Sequence, residues 1–107
     1  MSEDHDVVFQ ALADPTRRRL LRTLSASGPA TLSELTADVP MSRQAVSKHL
    51  TMLQQAGLVV AHGEVRGRRY ELTPAPLAGA MGWIADVGAG WDERLARLKR
   101  QVEARRS

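Results

Sequence analysis

The run from Met41 to Gly57, MSRQAVSKHLTMLQQAG, restricts the possible folds of this chain more than any other stretch. Stepped at about 100° per residue, its side chains separate into two sides. Ala45, Val46, Leu50, Met52, Leu53 and Ala56 fall on one, with His49 among them, while Arg43, Gln44, Ser47, Lys48, Thr51, Gln54 and Gln55 fall on the other. Ser42 stands where an N-cap hydroxyl accepts a first-turn N–H, and Gly57 where a left-handed residue closes a helix. The pattern predicts a helix over 42–56. Its polar side carries no acid. It presents Arg, Lys, Gln, Ser and Thr, side chains that donate to base edges and phosphates, gathered towards the helix N-terminus.

The flanking segments place this helix in a motif. A first helix over 5–12 buries Val8, Phe9 and Leu12, and Asp14-Pro15 is a cap followed by a proline in the first turn, which starts a second helix reaching Ser27. Leu20, Leu21 and Leu24 face inward from it, and Arg17, Arg18, Arg19 and Arg22 cover its outer surface as a solvated or phosphate-facing strip. Gly28-Pro29 ends it. Thr31 and Glu34 form a capping box opening a short third helix to about Asp38. A short helix, a tight Val39-Pro40-Met41 connection and a longer helix with a polar outer face constitute a helix-turn-helix.

Beyond Gly57 the period drops from 3.6 to 2. Leu58 to His62 and Arg68 to Leu72 alternate as two strands, joined through Glu64-Val65-Arg66-Gly67, so residues 58–72 are expected to form a β-hairpin, or wing. Arg66, Arg68 and Arg69 lie at its tip and return strand. Thr73-Pro74 then starts a last helix reaching about Arg105. Leu77, Ala80, Met81, Ile84, Val87, Trp91, Leu95, Leu98 and Val102 keep to one stripe, too long for a small winged domain to cover alone, so a second copy of the chain is the expected partner. Gly79, Gly82, Gly88 and Gly90 interrupt this helix, and a kink or break is expected near residues 88–90.

Composition enters mainly by exclusion. With 107 residues the chain makes one domain, and 15 Lys and Arg against 12 Asp and Glu give a net charge of only +3, so the arrangement of charge matters more than its total. The absence of cysteine removes disulfides and thiolate metal sites. The N-terminal MSEDHDVV has neither a basic nor an apolar leader region, which points to the cytoplasm. The apolar stretch 74–91 is too short, too rich in glycine and interrupted by Asp86 to span a membrane. His5, His49 and His62 are scattered, and His49 is expected to be a structural, hydrogen-bonded histidine. No phosphate-binding glycine loop, metal-binding set, cofactor site or nucleophile with a base is visible, so the chain does not read as an enzyme.

The motifs A-L-x-D-P-T-R (Ala11 to Arg17) and S-x-x-A-V-S-x-H-L (Ser42 to Leu50), with the run RGRRYELT, resemble the ArsR/SmtB family of winged helix-turn-helix transcriptional repressors over roughly residues 8–73. The tail, with Trp83, Trp91 and DERLARL, is similar to a branch of that family with a long C-terminal helix. The resemblance implies a homodimer joined through its first and last helices. It also implies a fourth helix in the major groove, wings on flanking DNA, and a palindromic operator from which an inducer releases the protein. It implies no metal site: where metal-sensing members carry cysteines in the third helix, this chain has Leu32-Ser33-Glu34-Leu35-Thr36-Ala37-Asp38, and Asp86 has no histidine beyond it.

The expected fold is therefore mainly α with a small β-hairpin, a winged helix-turn-helix of residues 5–73 followed by a C-terminal dimerisation helix over 74–105. Ser42, Arg43, Gln44, Ser47, Lys48 and Thr51 are expected at the double-stranded DNA operator, with Gln44 suited to adenine and Arg43 to guanine, and with Arg66, Arg68 and Arg69 as wing contacts. Val8, Phe9, Leu77, Met81, Ile84, Val87, Trp91, Leu95 and Leu98 are expected between the two copies. Two other readings stand beside this one. One is a winged-helix protein-interaction module, against which the acid-free helix face argues. The other is a regulator that senses a small-molecule inducer in an apolar pocket around Trp83 and Trp91.

Overall fold

A computed structural model describes residues 3–106. Helix α1 (Glu3–Leu12) leads through Ala13 and Asp14 into α2 (Pro15–Ser27), whose first turn is closed by the Asp14 carboxylate accepting the Arg17 N–H at 3.0 Å. Gly28, at φ +79°, ends α2 with its N–H on the Leu24 carbonyl. Strand β1 (Ala30–Thr31) and helix α3 (Leu32–Ala37) follow, with the expected capping box present: Thr31 Oγ1 accepts the Glu34 N–H and Glu34 Oε1 accepts the Thr31 N–H, each at 3.2 Å. Helix α4 (Arg43–Gln55) starts at Ser42, whose Oγ accepts the Ala45 N–H at 3.1 Å. It ends in a Schellman closure, with the Leu58 N–H on the Leu53 carbonyl, the Gly57 N–H on the Gln54 carbonyl, and Gly57 at φ +76°.

The expected hairpin forms as β2 (Val59–His62) and β3 (Arg69–Leu72), but it is not alone. β1 pairs with the other edge of β3, giving an antiparallel sheet in the order β1-β3-β2, where two strands were expected. Tyr70 of the central strand lies between Ala30 and Ala61 and is buried. This three-stranded closure fastens the base of the wing to the start of α3. Leu20, Leu35, Leu50, Leu53 and Leu58 are fully buried and form the centre of the core with Val8, Val46 and Tyr70. Met52, expected on the inner side of its helix, sits at the edge of that side and is 45% exposed.

Helix α5 (Ala75–Arg106) runs without interruption, so the break expected at residues 88–90 does not occur. One of its glycines has a local reason: a Cβ on Gly79 would stand 3.3 Å from His5 Nε2, so the small residue admits the close approach of α1. Ala80 is the last buried residue of α5, and Met81, Ile84, Val87, Trp91, Leu95, Leu98 and Val102 are all exposed in the single chain. No helix among the described residues is long and apolar enough to cross a membrane.

Candidate nucleic-acid interface

The polar side of α4 and the wing converge on one surface. Capping by Ser42 fixes the first turn of α4, and from that turn Arg43 and Gln44 stand exposed, with Lys48 one turn further on. Ser47 is half-buried. Its carbonyl accepts the Thr51 hydroxyl at 3.0 Å, which turns that hydroxyl back onto the helix. Ser42 and Thr51 are thus partly used in holding the helix, whereas the side chains of Arg43, Gln44 and Lys48 make no hydrogen bond or ion pair among the described residues. A cleft of about 300 Å³ lies between this helix, the start of α3 and the wing. Arg43 and Ser47 line it from α4, Thr31, Leu32 and Ser33 from the α3 start, and Val65, Gly67, Arg68 and Tyr70 from the wing. The α3 contribution is new: Thr31 reads from sequence only as a cap. The pairing of β1 with β3 brings it to the wing.

The three wing arginines do not act as a group. Arg66 is exposed near the tip, and Arg68 turns towards the cleft, on the same side of its strand as Tyr70. Arg69 lies on the opposite side, 3.6 Å from Glu34 Oε1 and 3.5 Å from the Pro29 carbonyl it donates to. The Thr31 N–H and hydroxyl hold the Glu34 carboxyl below the usual carboxylate range, with a smaller contribution from Arg69. Across the hairpin, His62 Nε2 lies 3.0 Å from Glu71.

The arginine strip on α2 is also rearranged. Arg17 donates from Nε to the Ala11 carbonyl at 2.7 Å and from Nη2 to the Gln10 carbonyl at 3.1 Å, and Arg18 donates to the Leu12 carbonyl at 2.7 Å. Arg19 lies 3.7 Å from Asp38, a carboxylate that also accepts the Thr23 hydroxyl. These three satisfy carbonyls at the end of α1 or pair with an acid, yet Arg18, Arg19 and Arg22 all remain exposed, so only Arg17 of the four is drawn out of the solvated strip. His49 is half-buried, 3.9 Å from Asp14 and 3.4 Å from Arg17 Nη1, the tethered structural histidine expected.

The residues expected between two copies divide in a similar way. Val8 is 2% exposed and belongs to the chain's own core, while its neighbour Val7 is open to solvent. Phe9 packs edge-on against Trp83 with ring centroids 5.5 Å apart, which fixes α1 on α5. Leu77 is half-buried against the core, and Met81, Ile84, Val87, Trp91, Leu95 and Leu98 form the uncovered stripe.

A helix-turn-helix domain model matches residues 12–61 of the chain. The chain is 47% identical over 99 residues to the HTH-type transcriptional regulator Rv2034 of Mycobacterium tuberculosis, covering 92% of this chain and 89% of that one. It is 31% identical over 77 residues to the transcriptional repressor SdpR of Bacillus subtilis, covering 72% and 84% respectively. Among solved structures it is similar to an ArsR-like transcriptional regulator from Rhodococcus sp. RHA1, at 38% identity and a TM-score of 0.76 over 91% of both chains.

Proposed function

Because the chain belongs to the ArsR/SmtB family of winged helix-turn-helix transcriptional regulators, DNA-binding proteins and not enzymes, we propose that it is a homodimeric, cytoplasmic repressor of its own operon. In this reading residues 5–73 are the DNA-binding core and 74–105 the dimerisation helix. The observation that carries it is the acid-free, unpaired surface made by Arg43, Gln44 and Lys48 beside a cleft that also holds Arg68. Arg43 and Gln44 read base edges from the first turn of α4. Lys48 and Thr51 meet phosphate, with Ser42 and Ser47 at the groove edge. Arg66 and Arg68 extend the contact along flanking DNA. Two-fold symmetry of the dimer matches a pseudo-palindrome with half-sites about one or two helical turns apart. No metal enters this reading.

The test is a titration of the protein into duplex from upstream of its own gene, against random duplex of equal length at two salt concentrations. Operator-preferring binding with a two-fold symmetric footprint is expected. Gln44→Ala should then erode the preference for operator over random DNA by about 1–3 kcal/mol while leaving random-sequence affinity nearly unchanged. Equal binding of both duplexes by the wild type removes the autorepressor reading, and equal loss by the variant removes Gln44 from base reading.

A further inference from the structure

The D-P-T-R segment at the start of α2 is not used by the proposed DNA surface, yet its arginine makes more side-chain hydrogen bonds than any other arginine among the described residues. A helix end leaves carbonyls short of partners, and Arg17 takes two successive ones with two arms of its guanidinium, that of Ala11 and that of Gln10, which also accepts the Ala13 N–H. Capping α1 requires no more than that, and Arg18 caps Leu12 with one arm and makes no second side-chain hydrogen bond among the described residues. Arg17 differs in its third arm. Nη1 lies 3.4 Å from His49 Nδ1 and 3.4 Å from Met52 Sδ, both on the recognition helix. His49 adjoins Lys48 in sequence, and Met52 lies one turn beyond it. A single half-buried, planar group therefore joins the end of α1 to the middle of the helix that presents Arg43, Gln44 and Lys48. These contacts direct the arms of Arg17 onto protein atoms of two helices.

We propose that Arg17 is a positioning residue for DNA reading. It fixes the attitude of α4 against α1, and since α1 packs through Phe9 and Trp83 on α5, the dimerisation helix of the function proposed above, it sets the separation of the two recognition helices. The inference rests on that dimeric reading. Its signature is spacing. Each base pair added between half-sites moves one of them by about 3.4 Å and turns it by about 35°, so a rigid dimer accepts one spacing and a loosely held pair of helices accepts several.

The experiment measures binding of the full-length wild type, Arg17→Gln and Arg18→Ala to the operator, to operators with one or two base pairs inserted or removed between half-sites, and to a single half-site. The wild type and Arg18→Ala are expected to prefer the native spacing by about tenfold or more, a step of about 1.4 kcal/mol. For Arg17→Gln the preference should fall to about threefold or less, with half-site affinity within about threefold of wild type. A spacing preference retained by Arg17→Gln, or a half-site loss as large as the operator loss, overturns the proposal. Should Arg17→Gln fold poorly, His49→Ala combined with Met52→Leu breaks the α4 side of the joint while leaving the α1 cap intact. It must flatten the spacing profile in the same way, or the proposal fails. A wild type with no spacing preference refutes the dimeric operator reading instead, a result separable from failure of the variant.

Discussion

Asp14 shows how much one side chain organises here. It precedes a proline that fixes the first helical φ, and its extended backbone lets the carboxylate swing back onto the Arg17 N–H. That hydrogen bond is the main reason its pKa lies below the ordinary value. Partial burial opposes it, and the nearby His49 and Arg17 charges add to the lowering. A carboxyl held low in the folded state contributes its full stability above the unfolded pKa, near 4, and loses it as the pH falls through the folded value. Asp14→Ala is therefore expected to cost about 1 kcal/mol in urea unfolding at about pH 7, and the gap from wild type should close as the pH is lowered below about 4. Asp14→Asn, still able to accept the N–H, should keep most of the stability and lose the pH dependence. A gap that stays constant across the acid range would show that the side chain acts by packing rather than as a charged cap.

Among the elements, the wing separates what local sequence carries from what the tertiary fold decides. Its strands and turn follow from alternation and from Gly67, and the same alternation already sets Arg68 and Tyr70 on one side and Arg69 on the other. The partner of Arg69 was not legible, because Glu34 lies far away in sequence and reaches it only through β1. β1 itself is two residues long and has no period to detect; it exists because β3 offers an open edge. Helix caps at Asp14, Thr31, Ser42 and Gly57 were readable because each is completed within a few residues. The destinations of Arg17 and Arg18 were not, since they depend on where α1 ends in space. This division has a measurable consequence for DNA. Replacing Arg66 and Arg68 with Ala should weaken operator and random duplex alike and reduce the slope of log affinity against log salt by about 2, at about 0.9 per phosphate contact. Arg69→Ala should change the slope far less, its charge being shared with Glu34. An unchanged slope in the double variant would take the wing off the DNA, and an equal effect of Arg69 would mean that its pairing breaks on binding.

At the scale of the whole molecule the controlling fact is α5, a helix of 32 residues and therefore about 48 Å long, in a chain whose greatest extent is 71 Å. Its apolar positions repeat by sevens: Leu77, Ile84, Trp91 and Leu98 form one row, and Met81, Gly88, Leu95 and Val102 the other. Such a repeat is what one helix lying along another requires, and it is the seam of the proposed dimer. Only its first turns find cover within the chain, and Trp91 remains 56% exposed. Gly88 falls in the seam beside Trp91 with nothing within 4 Å of where its Cβ would be, so a second helix can approach closely there and seat a large ring. The seam and the reading surface lie on different parts of the chain, which makes them separable by mutation. Leu95→Asp with Leu98→Asp is expected to shift sedimentation from dimer to monomer, because each charge would be buried unpaired in a joined seam. The winged core should keep its fold, since neither leucine contributes to its buried cluster. Operator affinity should then drop by about 10²–10⁴-fold, the gain that linking two binding events confers, while affinity for a single half-site stays unchanged. A variant that remains dimeric would move the subunit interface off this stripe. One that becomes monomeric yet binds the operator as tightly would show that a single winged unit reads the whole site.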